Sequence, residues 1–312
     1  MSEFGVYVHI PFCRHRCDYC AFATWTDRDH LMVAYVDAVI ADIERTVKKG
    51  MPVADTVFFG GGTPTRLAPE LLASIVSAIP VTSNAEITIE CNPDDVTVEM
   101  MKIYAAAGVN RISMGVQSMV DHVLQSLNRT HDPANVVKAI AAAREGGITS
   151  INLDLIYGVH GESVDDWRTT VEQTIALQPT HISAYGLTVE AGTPLAEDPS
   201  RHPDDDDQAD KYVLADDLFS AAGLMNYEIS NWALAGHECR HNQVYWSQGN
   251  YTGFGCAAHS HLDGRRWWNV RTPDRYIDCV AKNETVEASD EVLDAPTRAR
   301  EALELSLRTR DG

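Results

Sequence analysis

Short runs of β-branched residues alternate with longer stretches whose apolar residues recur every three to four positions, and this rhythm restricts the fold more than any other feature. Strand Gly5 to Ile10 precedes helix Asp29 to Lys48. Strand Asp55 to Phe59 with helix Pro69 to Ile79, and strand Glu86 to Cys91 with helix Val98 to Ala107, repeat the unit. Strand Arg111 to Val116 then leads through a connection at 118–133, with a short helix of its own, into helix Pro133 to Glu145. Strand Ser150 to Ile156 with helix Val164 to Leu177, and strand His181 to Leu187 with helix Asp207 to Ala222, complete six βα units. Such alternation predicts an α/β chain with a parallel sheet and right-handed crossovers, either doubly wound or curled toward a barrel. The polar residues favour the barrel. Glu90, Gln117 and Asp154 each stand at or just past the C-terminal end of a strand, as do the first cysteine loop and the GGGTP turn. Barrel proteins build their sites on that face. Past Met225 the rhythm breaks into short β-like pieces rich in Trp, Tyr, Gly and His. The expectation is a partial (β/α)6 barrel over 1–225 and a smaller C-terminal α+β region over 226–312.

Composition narrows the function. A formal charge of −20 argues against a nucleic-acid partner, because phosphate binding is driven by Lys and Arg releasing counterions. No stretch reaches the roughly 18 consecutive apolar residues a membrane span needs, which leaves only peripheral membrane contact open. The start MSEFGVYVHIPF has neither a basic leader nor a long apolar run, so a cytoplasmic location is expected. The acidic run Asp204 to Asp207 reads as a solvated helix start.

Seven cysteines are distributed unevenly: Cys13, Cys17 and Cys20 crowd one loop, while Cys91, Cys239, Cys256 and Cys279 are scattered. That pattern suits metal or cluster chemistry better than a disulfide framework. Three thiolates on a C-x3-C-x2-C loop can hold a [4Fe–4S] cube and leave one iron open to a small chelating molecule. A zinc site with His9 or His15 as fourth ligand is the alternative.

The loop's spacing, directly after a first strand, resembles the signature of the radical S-adenosylmethionine (SAM) superfamily. The resemblance implies an open iron that holds the methionine end of SAM and a reduced cluster that passes one electron to the sulfonium, yielding a 5′-deoxyadenosyl radical. The run FFGGGTPT occupies the place of the superfamily's SAM-amino motif, which points to Gly60, Gly61, Gly62 and Thr63. Resemblance to the coproporphyrinogen oxidase branch carries SAM-binding roles onto Tyr7, Glu90, Gln117, Arg129 and Asp154. Carboxylates suit ribose hydroxyls and an arginine suits SAM's carboxylate. Tyr7 and Tyr19 are also placed to pack beside the cluster.

The strings YVHIPFC, FFGGGTPT, ECNPD, RISMGVQS, LNRTH, DLIYG and SAYGL extend that likeness over nearly the whole chain. Two positions discriminate within the branch. The decarboxylase carries a fourth cysteine where this chain has Phe22, and CRHNQVYW at Cys239 to Trp246 is similar to the HNxxYW motif of the HemW haem chaperones. The HemW resemblance implies haem as a third cofactor, with Arg240, His241, Tyr245, Trp246 and His259 as its candidate contacts. Trp267 and Trp268 read as core or interface residues and Cys239 as a buried thiol. HemW relatives usually continue beyond a segment like EALELSLRTRDG, so the C-terminal region is expected to be truncated relative to theirs.

The implied function is haem trafficking: receiving haem and delivering it to respiratory haem proteins, with a reductant serving the cluster. Reductive SAM cleavage belongs to the superfamily, with or without a part in the trafficking. Oxidative decarboxylation of coproporphyrinogen III is the enzymatic alternative, and Phe22 with HNQVYW count against it. A methyltransferase or cyclopropanase of the same branch is a third reading, and it requires a second bound SAM.

Overall fold

The computed structural model describes residues 3–312. Its elements run β1 Phe4–Ile10, α1 Met32–Lys48, β2 Ala54–Gly61, α2 Pro69–Ala78, β3 Val81–Cys91, α3 Val98–Ala106 and β4 Arg111–Gln117. They continue with α4 Asp121–Ser126, α5 Pro133–Glu145, β5 Ser150–Tyr157, α6 Val164–Ala176, β6 His181–Gly186 and α7 Asp205–Ala221. The C-terminal part contains β7 Met225–Glu228, β8 Asn231–Ala233, α8 Arg240–Trp246, β9 Asn250–Phe254, β10 His259–Leu262 and β11 Arg265–Asn269. It ends with α9 Pro273–Ala281, β12 Glu287–Val292 and α10 Ala295–Ser306.

All six expected βα units are present. The expected bounds shift where local chemistry intervenes. Asp29–Leu31 is a separate 3-10 turn, so α1 starts at Met32. β2 runs on through Gly61 because its last residues pair with β1, Ile10 against Gly61. β3 starts five residues early, at Val81. Several helix starts follow capping rules. Ser163 and Asp166 form a capping box on α6, and the Asp132 and Asp204 side chains accept backbone N–H groups of α5 and α7. The last of these is the acidic helix start expected at Asp204 to Asp207.

Strands β1 to β6 pair in parallel and in chain order. Parallel β9 takes the other side of β1, while antiparallel β8 and β7 extend the far side of β6. β1 and β6 therefore each have another neighbour and do not pair with each other, which leaves the barrel open. The sheet also runs on across residue 225 at both edges, for β7 to β12 all join it.

Its two faces differ in chemistry. The outward face, with Val6, Val8, Val57, Phe59, Ile87, Ile89, Ile112, Met114, Ile151, Leu153 and Ile182, is buried in the main core against the helices. Burying side chains of this size contributes about 1.5–3 kcal/mol each and holds the scaffold rigid. The inward face is polar. Glu90, Ser113, Asn152 and His181 lie in register on adjacent strands, with Gly115, Asp154 and Ser183 in the next row up.

Candidate functional site

A cavity of about 730 Å³ opens at the C-terminal ends of the parallel strands. Its volume lies in the range of cofactor sites. Cys13, Cys17 and Cys20 line one wall, and Tyr19, Gly61, Gly62, Thr63, Glu90, Gln117, Arg129 and Asp154 line the rest. The structure thus brings together residues from five βα units. Gly60 and Tyr7 sit just beneath: the Gly60 backbone approaches Glu90, and the Tyr7 hydroxyl meets His9 Nδ1 at 3.2 Å.

The cysteine loop is held from both sides. Trp25 and Cys13 share a backbone hydrogen bond of 3.0 Å, and the Thr63 hydroxyl faces the Cys13 sulfur at 3.8 Å. Arg129 reaches Cys17 Sγ at 3.7 Å with one guanidinium nitrogen and donates to the Gly115 carbonyl at 2.7 Å with the other. Among the described residues no three His, Cys, Asp or Glu side chains close around a single ion. A cube cluster instead takes its cysteines at separate iron corners. His9 is unsuited to the zinc alternative, since its Nε2–H donates to the Ala23 carbonyl at 2.8 Å and its Nδ1 faces Tyr7. Burial drives the His9 imidazole down to about 4 and the Cys13 thiol up to about 11. Metal ligation requires thiolate, so binding of a cluster works against that rise.

The glycine run is packed too tightly for side chains. A Cβ on Gly62 would lie 2.7 Å from the Phe12 carbonyl oxygen and 2.8 Å from that of Ile10, and Gly61 adopts a φ of +107° against the His9 ring. Glycine is the residue that tolerates both demands. Gln117 also takes a left-handed backbone, φ 64°, at an irregularity in the β4–β5 register, which ends the strand at the cavity wall.

The polar groups of the cavity have bonding capacity to spare. The Glu90 carboxylate accepts one backbone bond, from Gly61 N–H at 3.3 Å. Burial, reinforced by the charge of Asp154, pushes it up to about 8. Asp154 is also raised by burial, and the hydroxyl of Ser113 and the amide of Asn152, each at 2.8 Å, oppose that rise. Arg129 Nε is buried without a partner. Unspent donors and acceptors around a cavity of this size fit a zwitterionic, hydroxyl-rich ligand beside a cluster. Ser113, Ser183 and Tyr185 belong to this inner surface and escaped the sequence reading. Their signal was the alternation of polar with apolar residues in strands such as HISAYG.

The candidate haem contacts lie elsewhere. α8 crosses the opposite, N-terminal end of the barrel, and His241 on it is 1% exposed. Its two ring nitrogens face the Thr56 hydroxyl and the Tyr245 hydroxyl, each at 2.8 Å, and its ring stacks on Phe58. Burial drives this imidazole down to about 3. Both nitrogens of this candidate haem contact are thus committed inside the protein. Tyr245 is turned edge-on to His241 and Tyr251 rather than toward a porphyrin face. Arg240, another candidate, is held by Glu3 at 2.7 Å and by the Asn84 carbonyl at 2.8 Å. Arg308 covers the Trp246 ring. Cys239 is buried as expected, its thiol pushed up to about 12 chiefly by burial. His259 differs. It is exposed on β10 and stacks on Trp268, while Arg265 covers Trp267, so both tryptophans serve the antiparallel ribbon.

The model of the radical SAM superfamily matches residues 7–174. The Heme chaperone HemW of Mycobacterium tuberculosis is 40% identical over 323 residues, covering 100% of this chain and 83% of that protein. Its namesakes in Bacillus subtilis and Escherichia coli are each 37% identical, covering 89% and 93% of this chain and 76% and 80% of their own lengths. Among solved structures, coproporphyrinogen III oxidase (HemN) from Escherichia coli superposes with a TM-score of 0.88 at 23% identity. It covers 99% of this chain and 76% of that one, a likeness of fold.

Proposed function

The chain belongs to the radical SAM superfamily and, within it, to the HemW family, and from that premise we propose that it is a cytoplasmic haem chaperone that passes haem to respiratory haem proteins. The observation that carries the proposal is the 40% identity to a HemW protein over the full length of this chain. Phe22 supports it from the site itself. It lines the cavity mouth, 67% exposed, on the cluster loop where the decarboxylase pattern has its fourth cysteine.

In this reading Cys13, Cys17 and Cys20 hold a [4Fe–4S] cluster, and a bound cluster with SAM supplies one-electron chemistry. The chain's residues bind and orient. Backbone at Gly60 to Thr63 meets the amino end of SAM, Arg129 its carboxylate, Glu90 and Asp154 its hydroxyls, with Gln117 closing the wall. Tyr7 and Tyr19 support the pair from beneath and beside. The haem contact falls to His259, the candidate whose ring faces outward, and Trp268 backs it.

The test is anaerobic reconstitution with iron and sulfide, followed by haem titration and incubation with coproporphyrinogen III, SAM and reductant. A four-iron cluster with stoichiometric haem and no protoporphyrinogen is the expected result. Clear protoporphyrinogen formation, or a clustered protein with no haem affinity, overturns the proposal.

A further inference from the structure

A hydrogen-bond chain on the inner face joins the two ends of the barrel, and its direction is fixed by chemistry. It begins just before α8, where Cys239 N–H donates to the Tyr227 hydroxyl oxygen at 3.1 Å. The Tyr227 hydroxyl also meets His181 Nε2 at 2.8 Å, and because His181 Nδ1 faces the accept-only Asn152 Oδ1, Nε2 is left to take the Tyr227 hydrogen. Nε2 then accepts. Burial drives the His181 imidazole well below its ordinary value, so the ring is neutral and its single hydrogen lies on Nδ1. That nitrogen faces Asn152 Oδ1 at 2.6 Å, and the Asn152 amide donates onward to Asp154 Oδ1 at 2.8 Å. Every donor points the same way, toward the carboxylate in the cavity. Chains of this kind polarise one another in a low-dielectric interior.

The far end of the chain is anchored as firmly. Glu86 accepts from Arg240 N–H at 3.3 Å and His241 N–H at 3.1 Å, so a β3 carboxylate caps a helix that has no side-chain cap of its own. A shift of α8 would pull on Cys239 N–H and hence on the chain. A change of charge or position at Asp154 would be felt at the other end.

We propose that Asn152, His181 and Tyr227 are positioning residues for Asp154, and that their one-way chain couples occupation of the SAM cradle to the seating of α8 across the opposite end of the barrel. The inference rests on the reading that Asp154 meets SAM. It also gives the HNQVYW helix a task in place of iron ligation.

Tyr227→Phe removes one hydroxyl and leaves the cavity wall untouched. In reconstituted protein it is expected to raise the SAM dissociation constant by about fivefold, the lower end of usual coupling energies. In the unmutated protein, SAM should slow hydrogen exchange of the α8 amides, and Tyr227→Phe should abolish that response while α8 stays folded. A purely structural hydroxyl would not make α8 exchange depend on SAM. SAM binding unchanged in Tyr227→Phe, or α8 exchange indifferent to SAM in the unmutated protein, overturns the coupling and leaves the SAM reading intact. Failure of the unmutated, cluster-loaded protein to bind SAM sinks both.

Discussion

Glu86 and Glu90 lie four residues apart on one strand and face the same barrel interior, yet they end in opposite circumstances. Glu86, at the N-terminal end, is consumed: it accepts both backbone donors of α8 and faces the Cys239 thiol. Glu90, at the C-terminal end, accepts a single bond from Gly61 and looks into the cavity. The same holds for the arginines. Arg240 is saturated by Glu3 and Asn84, whereas Arg129 keeps a buried Nε without a partner beside the cysteine loop. One end spends its polar groups on closure and the other keeps them for a ligand. Spare bonding capacity, and not residue type, separates a binding site from a structural network.

Variants at the two ends should therefore fail in different ways. The largest effect is expected at Cys17→Ser: most of the iron and sulfide should be lost on reconstitution, with far-UV circular dichroism and thermal midpoint nearly unchanged, because the loop lies at the cavity mouth. Iron analysis reads this directly, and a full brown cluster in the variant would break the assignment of the open end.

His241→Ala should do the reverse. Losing the stack on Phe58 and stranding two buried hydroxyls is expected to cost about 2–4 kcal/mol in urea unfolding of the apoprotein. Haem affinity should stay within about twofold of the parent, since an imidazole with both nitrogens committed offers iron nothing. A variant that lost haem and kept its stability would reverse the comparison.

A smaller effect concerns pH. Glu90 is raised from 4.5 to about 8 by burial and by the charge of Asp154. Between those values the folded apoprotein keeps a proton that the unfolded chain has released, so this group's stabilising contribution is whole below pH 4.5 and declines as pH rises toward 8. Glu90→Gln should flatten that part of the stability profile. SAM affinity, if it depends on an ionised acceptor, should rise over the same interval in the parent and lose that rise in the variant. Identical profiles for the two proteins would show that Glu90 is not held protonated.

The smallest effect is expected on the ribbon. Arg266 pairs with Glu291 at 2.8 Å and Glu301 at 2.9 Å, with its side chain 34% exposed. Exposed pairs of this kind contribute roughly 0–1 kcal/mol, so Arg266→Ala should shift urea unfolding by no more than that and leave cluster loading unchanged.

Much of this was legible beforehand for a local reason. Strand and helix periodicity, the acidic helix start at Asp204 to Asp207, and three cysteines within eight residues depend on neighbours in the chain. So Cys13, Cys17 and Cys20, the glycine run, and the strand-end residues Glu90, Gln117 and Asp154 could be assigned to one face of a barrel from the sequence alone. The elements after Met225 were harder, because β8 is three residues long and is a strand only through its pairing with β6 and β7.

The sequence by itself determined the βα order, the cluster loop and the family, since each is written in spacing and local pattern. Only the tertiary structure decided what His241 does, and it did so by bringing Thr56, 185 residues away, to one ring nitrogen while Tyr245 took the other. It likewise decided that Asn152 and His181 stand between Asp154 and Tyr227, because those contacts cross from strand to strand. A polar group's role depends on which partners face it after folding, and partners from distant strands leave no trace in the spacing of the residues themselves.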